Sequence, residues 1–528
     1  MYFMGMKSAG EQRTAVRRFL GLDRREGAAL GSFADMENLC PDGFPALKVR
    51  PKRGTVANLT GYAGGMTVKD ALIYVDGTHL YVNGLKTALT LSEGDKQLVS
   101  MGAYLIIWPD KCYINTADLS DYGSLESEMT TTGSVVLTPT AALDDEEGTF
   151  SHTTVQAAGI GREFMAGEGV YIAGGGAVLP EGTYTLISCE EDSIVIALTT
   201  AAETTLDAAL TLRRYVPDMD YVCECGNRLW GCKYGIVNGE SVNAVYGSAL
   251  GNFKSWNSFQ GLASDSYAAS RGSDGVFTGA AAYLGSVLFF KEHAIERLYI
   301  SGSGAHQVVT LECDGVAKGS HRSLAMSEGV LYYHGVGGVY GFDGSLPQLL
   351  SAPLGDFRGE NAAGGALDGV YYLALTAEDG KHLFTLDTKR GLWHRQDDLP
   401  VRQFARKGAE LYGLTDNAVV SLRGMTGAQE AAAIQWYAET PPIGVEQEGE
   451  RYLARLEVRL EAAEGAQACV AVSYDGGATW RECGTVKGRG SLRAATLSVR
   501  AVRAPFLKLR LYGTGGCTVH SISAVYEK

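Results

Sequence analysis

Ser473-Tyr-Asp-Gly-Gly-Ala-Thr-Trp480 is the stretch whose residue types and spacing come nearest to a recognisable site, matching the pattern S-x-D-x-G-x-T-W known as an Asp box. Its chemistry is local. Asp475 can accept hydrogen bonds from the turn backbone, Gly477 supplies an unusual φ, and Trp480 packs beneath. Ser473, Asp475, Gly477, Thr479 and Trp480 are therefore expected to form a structural turn that holds a hairpin, not a reaction centre. Cys223, Cys225 and Cys232 form the one cysteine cluster, but zinc prefers Cys-x₂₋₄-Cys pairs or matching His pairs, and no His follows until His293. Alternate small thiols on a strand face are the expectation. Gly159-Ile-Gly161 and His334-Gly-Val-Gly-Gly338 lack the helix whose N-terminus would meet a phosphate, so both read as turns. Asp144-Asp-Glu-Glu147 reads as a solvated linker, with a divalent-ion site as its alternative. His293 beside Glu292 and Glu296 has neither nucleophile nor orienting partner in view. No catalytic, metal or cofactor-binding residue is assigned, and the chain is expected not to be an enzyme.

What positions these residues is a phrase that keeps returning. A turn carrying Gly or Asp leads into four to six apolar or aromatic residues, then a second turn and a second run. The phrase appears at Ala71-Leu-Ile-Tyr-Val75, Ala103-Tyr-Leu-Ile-Ile-Trp108, Gly226-Asn-Arg-Leu-Trp-Gly231, Leu284-Gly-Ser-Val-Leu-Phe-Phe290, Glu328-Gly-Val-Leu-Tyr-Tyr333, Gly369-Val-Tyr-Tyr-Leu373 and Glu410-Leu-Tyr-Gly-Leu414. The phrase centres are Leu72, Leu105, Leu229, Leu288, Leu331, Tyr371 and Leu411, and the last three intervals are 43, 40 and 40 residues. A period of about 40 to 45 residues is that of four-stranded propeller blades. The 68 glycines against 13 prolines fit a protein of many tight turns and not a helical bundle.

The chain has 528 residues, 45% apolar and 20% charged, which is a globular composition with room for several cores. A net charge of −14 excludes a broad nucleic-acid-gripping surface, which needs clustered Lys and Arg. No apolar run approaches the roughly 18 residues of a membrane helix, and Met1 to Gly10 lacks the core of a signal peptide. Ten scattered cysteines suggest reduced, mostly buried thiols.

Between the second and third phrases the texture changes. Residues 148–214 carry four short β-rich runs between Gly, Asp and Glu turns, expected as an inserted small β-barrel or sandwich flanked by acidic, Thr-rich linkers. From Pro441-Pro442 onward, runs such as Tyr452-Leu-Ala-Arg-Leu-Glu-Val-Arg-Leu460 alternate apolar and charged residues, which predicts a C-terminal β-sandwich. The expected division is an N-terminal arm and ring-closing strand over 1–60, propeller over 61–147 and 215–440, the insert over 148–214, and the sandwich over 441–528. The fold class is thus all-β: a propeller of about seven blades, six or eight being alternatives, with an inserted domain and a C-terminal sandwich. Short helices are expected over Glu11 to Leu20 and Gly427 to Ile434. Strand-forming residues near Leu47 to Asn58 would pair with the last blade and remove two sheet edges.

Three groups of residues carry a family resemblance. They are the opening segment that ends in Arg50-Pro51-Lys-Arg-Gly54; the central block Asn227-Arg228-Leu229-Trp230, with Ser248 in Val245-Tyr-Gly-Ser-Ala-Leu-Gly-Asn252 and then Trp256; and Gly338-Val-Tyr-Gly-Phe-Asp343-Gly344. In this order they resemble the β-propeller proteins of tailed bacteriophages that form the tail nozzle or stabilise the head–tail junction. The resemblance implies a structural virion component made in the host cytoplasm. It implies a ring-shaped homo-oligomer docked on portal, adaptor or other tail proteins, around DNA that slides through an acidic lumen without sequence-specific binding. No cofactor or membrane insertion is implied. The basic N-terminal arm, with Arg13, Arg17, Arg18, Arg24 and Arg25, would contact a neighbouring subunit or lie solvated. Two other readings stay open: a receptor- or glycan-binding tail protein, and a sialidase-like glycoside hydrolase.

Overall fold

The computed structural model describes residues 12–145, 148–356, 358–444, 451–500 and 502–527. Among the described residues there are 51 strands and three single-turn 3₁₀ helices, and the protein is all-β. Two compact units can be separated, one of residues 64–317 and one of residues 1–63 with 318–528.

The 64–317 unit holds four four-stranded antiparallel sheets, each a meander in sequence order. Their second strands are Leu72–Asp76, Tyr104–Trp108, Leu229–Val237 and Ser286–Phe290. The other unit holds three further antiparallel meanders, one a four-stranded sheet and two lying within sheets of six and five strands, with second strands Val330–Gly335, Val370–Ala377 and Glu410–Leu414. Each of the seven phrase centres lies on the second strand of its meander. The reason is burial on both faces: Ser286–Phe290 and Glu410–Leu414 are buried at every position, so these strands read as unbroken apolar runs instead of alternating ones. The last of the seven meanders takes its fourth strand from Gly54–Asn58, which pairs antiparallel with Ala418–Ser421. Gly54 is required there, since a Cβ would stand 2.0 Å from the Thr426 carbonyl oxygen.

The segment expected as an insert over 148–214 shares its sheet with residues that precede it. Its eight-stranded sheet begins at Ser127–Thr130 and ends at Thr211–Arg214, so the segment expected as a linker contributes the strand Val135–Asp145. Val135, Leu137, Val155, Val170, Ile172, Leu186, Ile194 and Leu212 belong to its core. At its base the buried Glu168 carboxylate meets the Arg214 guanidinium at 3.0 Å, and Arg214 Nε donates to the Leu125 carbonyl at 2.7 Å.

The segment expected as a C-terminal sandwich pairs with strands outside residues 441–528. One sheet runs through Arg451–Ala462 and Cys517–Glu527 and takes Gln12–Val16, Leu39–Cys40 and Leu47–Val49 from the N-terminal segment. The other has the strand order Asp35–Glu37, Gln435–Glu439, Lys508–Thr514, Gln467–Ser473, Arg481–Lys487. Neither expected helix forms. Gln12–Val16 is a strand whose residues pair with Ile522 through Tyr526, and Glu11 lies outside the described residues. Residues 427–434 hold only the short strand Ala428–Gln429, because the Glu430 backbone is tied on both sides, its N–H to the Arg53 carbonyl and its carbonyl to Lys52 Nζ.

Candidate functional site

The residues singled out in the sequence fall into four local clusters. In the central block, Asn227 adopts φ 58° and its carbonyl accepts the Gly251 N–H. Arg228, 2% exposed, donates to three carbonyls of the loop 248–266: Ser248 at 2.7 Å, Asp265 at 2.5 Å and Ala263 at 2.6 Å. Leu229 N–H donates to Ser248 Oγ at 3.0 Å, the Trp230 indole N–H to the Cys225 carbonyl at 2.9 Å, and the Trp256 indole N–H to the Phe253 carbonyl at 2.9 Å. The structure brings all six motif residues of this block together, as a clamp on one loop. Beside them Cys225 and Cys232 are buried, and burial raises the Cys223 and Cys232 thiols. Among the described residues no group of three His, Cys, Asp or Glu is placed to hold a metal ion; the acidic run Asp144 to Glu147 lies partly outside them.

In the other unit, Arg50 donates to Asn38 Oδ1 at 2.6 Å, to the Pro51 carbonyl at 3.0 Å and to Glu430 at 3.1 Å. Its guanidinium also stands 3.3 Å from Asp397, which Arg53 grips through both oxygens. Gly338 opens its strand at φ 138°, where a Cβ would meet Ser351 Oγ at 2.2 Å, and Asp343 caps the Ser345 N–H in the turn that contains Gly344. In the Asp box, Asp475 accepts Ser473 Oγ at 2.7 Å and the Thr479 N–H at 2.9 Å, while Gly477 takes φ 105°. The Thr479 and Ser473 hydrogen bonds hold the Asp475 carboxyl well below its usual range. Trp480 lies half-buried with the Arg510 guanidinium 4.3 Å from its ring centre. None of these clusters presents an open reactive group.

A set the sequence reading passed over brings two carboxyl groups to one strand face, one Asp35 oxygen being buried without a hydrogen-bond partner among the described residues. Strand Asp35–Glu37 is the edge of the five-stranded sheet, and its period of two buries Met36 while leaving Asp35 and Glu37 half-exposed on the outer face. Directly opposite stand Glu439 and Tyr437, and beyond these Arg510 and Tyr512. Tyr437 donates its hydroxyl to Asp35 at 2.7 Å. Arg24 Nη2 is 3.6 Å from the other Asp35 oxygen. Arg395 reaches Glu37 at 3.6 Å and Asp398 at 2.7 Å, and its Nε is buried with no hydrogen-bond partner among the described residues.

The two neighbouring acids titrate in opposite directions. Burial raises the Glu37 carboxyl; Arg395 opposes that, while the charges of Asp398, Asp397 and Asp35 add to it. Asp397 is buried too, but the charges of Arg53 and Arg50 outweigh burial and hold it down. Burial and the hydrogen bond to Asp35 raise the Tyr437 hydroxyl, which keeps it a donor. The cluster thus contains a carboxyl biased toward its protonated form, an oriented carboxylate 2 residues away, and cations that balance the charge. In the sequence its only trace is the alternation Asp35-Met36-Glu37, because Arg395 and Tyr437 lie some 360 to 400 positions later.

No protein-family profile matches the chain, and no curated protein matches it. Solved structures do. An exo-β-1,3-galactanase from Phanerochaete chrysosporium aligns at 9% identity over 57% of this chain and 94% of its own, with a TM-score of 0.23. A GH43 glycoside hydrolase engineered for endo-xylanase and exo-arabinofuranosidase activity aligns at 10% identity over 58% and 96%, with a TM-score of 0.22. An acylaminoacyl peptidase from Pyrococcus horikoshii aligns at 10% identity over 72% and 58%, with a TM-score of 0.28. The structural neighbours are glycoside hydrolases and unrelated proteins, none a phage tail nozzle. They correct two expectations: that the chain is a tail nozzle or connector component, and that it is not an enzyme. At these TM-scores no residue, substrate or step is carried over from any of them.

Proposed function

We propose that this chain hydrolyses glycosidic bonds, with Glu37 as general acid and Asp35 as general base. The observation that carries the reading is the pair itself: two carboxyl groups on one strand face, borne by residues whose Cα atoms an extended strand spaces roughly 6.6 Å apart. Inverting glycosidases separate their two carboxyls by about 6.5–9.5 Å, room for a water between base and sugar. In this reading Glu37 donates its proton to the departing glycosidic oxygen. Asp35 takes a proton from the attacking water, whose oxygen bonds to the anomeric carbon as the C–O bond breaks. Tyr437 fixes one Asp35 oxygen by its 2.7 Å hydrogen bond, so the carboxylate faces one way. Burial raises the Glu37 carboxyl and so favours its protonated form, the direction a general acid needs. Arg395, 3.6 Å from Glu37, re-pairs the carboxylate once the proton has left.

With this goes a finer reading of the fold, in which the seven antiparallel meanders, five of them separate four-stranded sheets, are propeller blades. Three-dimensional reconstruction by electron microscopy would test the blade count.

The functional test is release of reducing ends from a panel of oligosaccharides and polysaccharides by the purified chain. Glu37→Gln and Asp35→Asn should each lower the rate at least 100-fold, with melting temperatures no lower than the native one. No release from any substrate, or variants that keep native rates, would overturn the proposal.

A further inference from the structure

The outer face of the five-stranded sheet continues past the carboxyl pair, and it is neither a plain solvated surface nor an apolar one. Glu37, Tyr437 and Tyr512 stand in register on three successive strands, and Asp35, Glu439 and Arg510 form the next row. Adjacent strands are roughly 4.8 Å apart, so the two tyrosines are side by side. Both are half-buried. Beyond them lies Trp480, with Arg510 against its ring at 4.3 Å. The opposite face of the same strands carries Trp436, Ala438, Leu509, Leu511, Val470 and Val472 in the core, so the aromatics outside are not there to fill the sandwich. Three aromatic rings on one rigid sheet face, leading away from an acid–base pair, make a stacking platform.

The charges on this face select what it can bind. Arg510 donates to Glu439 Oε1 at 2.8 Å through Nε, and Lys508 is 3.8 Å from the second oxygen. Tyr512 donates to Glu482 at 3.4 Å. Arg510 and Lys508 share Glu439, and with Glu482 on the same face two cations stand beside two carboxylates, leaving no net cationic patch for a polyanion. What they offer is hydrogen bonding to hydroxyls, between rings whose faces suit the C–H faces of a pyranose.

We infer that this face is a binding track for a neutral oligosaccharide, with Tyr512 and Trp480 as stacking platforms and Glu439, Arg510 and Glu482 as hydroxyl partners. The inference rests on the hydrolase reading for its direction, since Tyr437 joins the track to Asp35, but binding can be measured without turnover.

The test is calorimetric titration of the full chain carrying Glu37→Gln with neutral gluco-, galacto-, xylo- and manno-oligosaccharides, and with an anionic galacturonide. Tyr512→Ser should weaken binding of the preferred neutral sugar at least tenfold, while Tyr512→Phe, which keeps the ring, should stay within threefold. Arg510→Met should weaken it by a similar factor to Tyr512→Ser. Binding by the Glu37→Gln chain with no cleavage by the native one would sink the hydrolase reading and leave the track standing. Cleavage with KM unchanged in Tyr512→Ser and Arg510→Met would do the reverse. Preference for the galacturonide, or no binding of any neutral sugar, would overturn the inference.

Discussion

Replacing Arg228 by Met should loosen one loop without unfolding its sheet. The guanidinium donates to the carbonyls of Ser248, Ala263 and Asp265 from a position 2% exposed. Hydrogen bonds from a charged donor contribute about 1.5–3 kcal/mol each, but a carbonyl that water can reach loses much less. Ser248 is fully buried, so its carbonyl would bear the full cost of about 2 kcal/mol. Leu250, Phe259 and Leu262 on the same loop are exposed, so water can reach the Ala263 and Asp265 carbonyls at about 0.5–1 kcal/mol apiece. Removing a buried charge returns part of this, since burial already depresses the Arg228 pKa. The net local loss is about 3 kcal/mol. Amide hydrogen exchange reads it directly. Leu250, Gly251 and Ser266, whose N–H groups bond within the loop and to Asn227, should exchange about 100-fold faster. Val245 and Tyr246, in the strand beneath, should keep native protection. Unchanged exchange at Leu250 and Gly251 would refute the clamp, and loss of protection throughout the sheet would show that Arg228 holds the core instead.

The 1–63 and 318–528 unit should lose stability as pH falls. His334 and His394 are buried neutral with pKa values depressed by burial to about 4, so their contribution is complete above about 6.5 and is lost between 6.5 and 4. Each proton costs up to about 3 kcal/mol, and urea midpoints measured across this window should fall, with His334→Gln flattening the slope. Glu37 works in the opposite sense: its raised pKa opposes folding as pH climbs past the carboxyl range, so Glu37→Gln should melt at or slightly above the native temperature at pH 7. Arg53→Met would leave the buried Asp397 with one of its two cations, and calorimetry should show a loss of about 3 kcal/mol. Asp475→Ala should lower the melting temperature while leaving any glycosidase rate unchanged, because the carboxylate is engaged by its own turn.

Strands that are buried on both faces were readable because their apolar runs are unbroken, and all seven second strands were located this way. The sandwich was visible where alternation is strict, as in Arg451–Ala462. Its N-terminal partners were not. Arg13 to Val16 alternate exposed and half-buried residues, with no fully buried position to mark a core face; only pairing with Ile522 through Tyr526, over 500 positions away, makes Gln12–Val16 a strand. Residues 427–434 have helical propensity that tertiary hydrogen bonds at Glu430 override. The linker reading of Thr130 to Glu147 weighed its acidic end over Val135-Val-Leu137, which packs in the insert's core. The carboxyl pair was the least legible feature. Two acids at alternate positions are common on any exposed strand, and what distinguishes these is a tyrosine and an arginine delivered by remote segments of the chain.

The claim that Glu37 and Asp35 cleave glycosides across an intervening water is tested most directly by following the anomeric proton signals of a cleaved oligosaccharide by NMR. The first product formed should carry the anomeric configuration opposite to that of the bond broken, equilibrating only later. First appearance of the same configuration, or no new reducing end at all, would contradict the account.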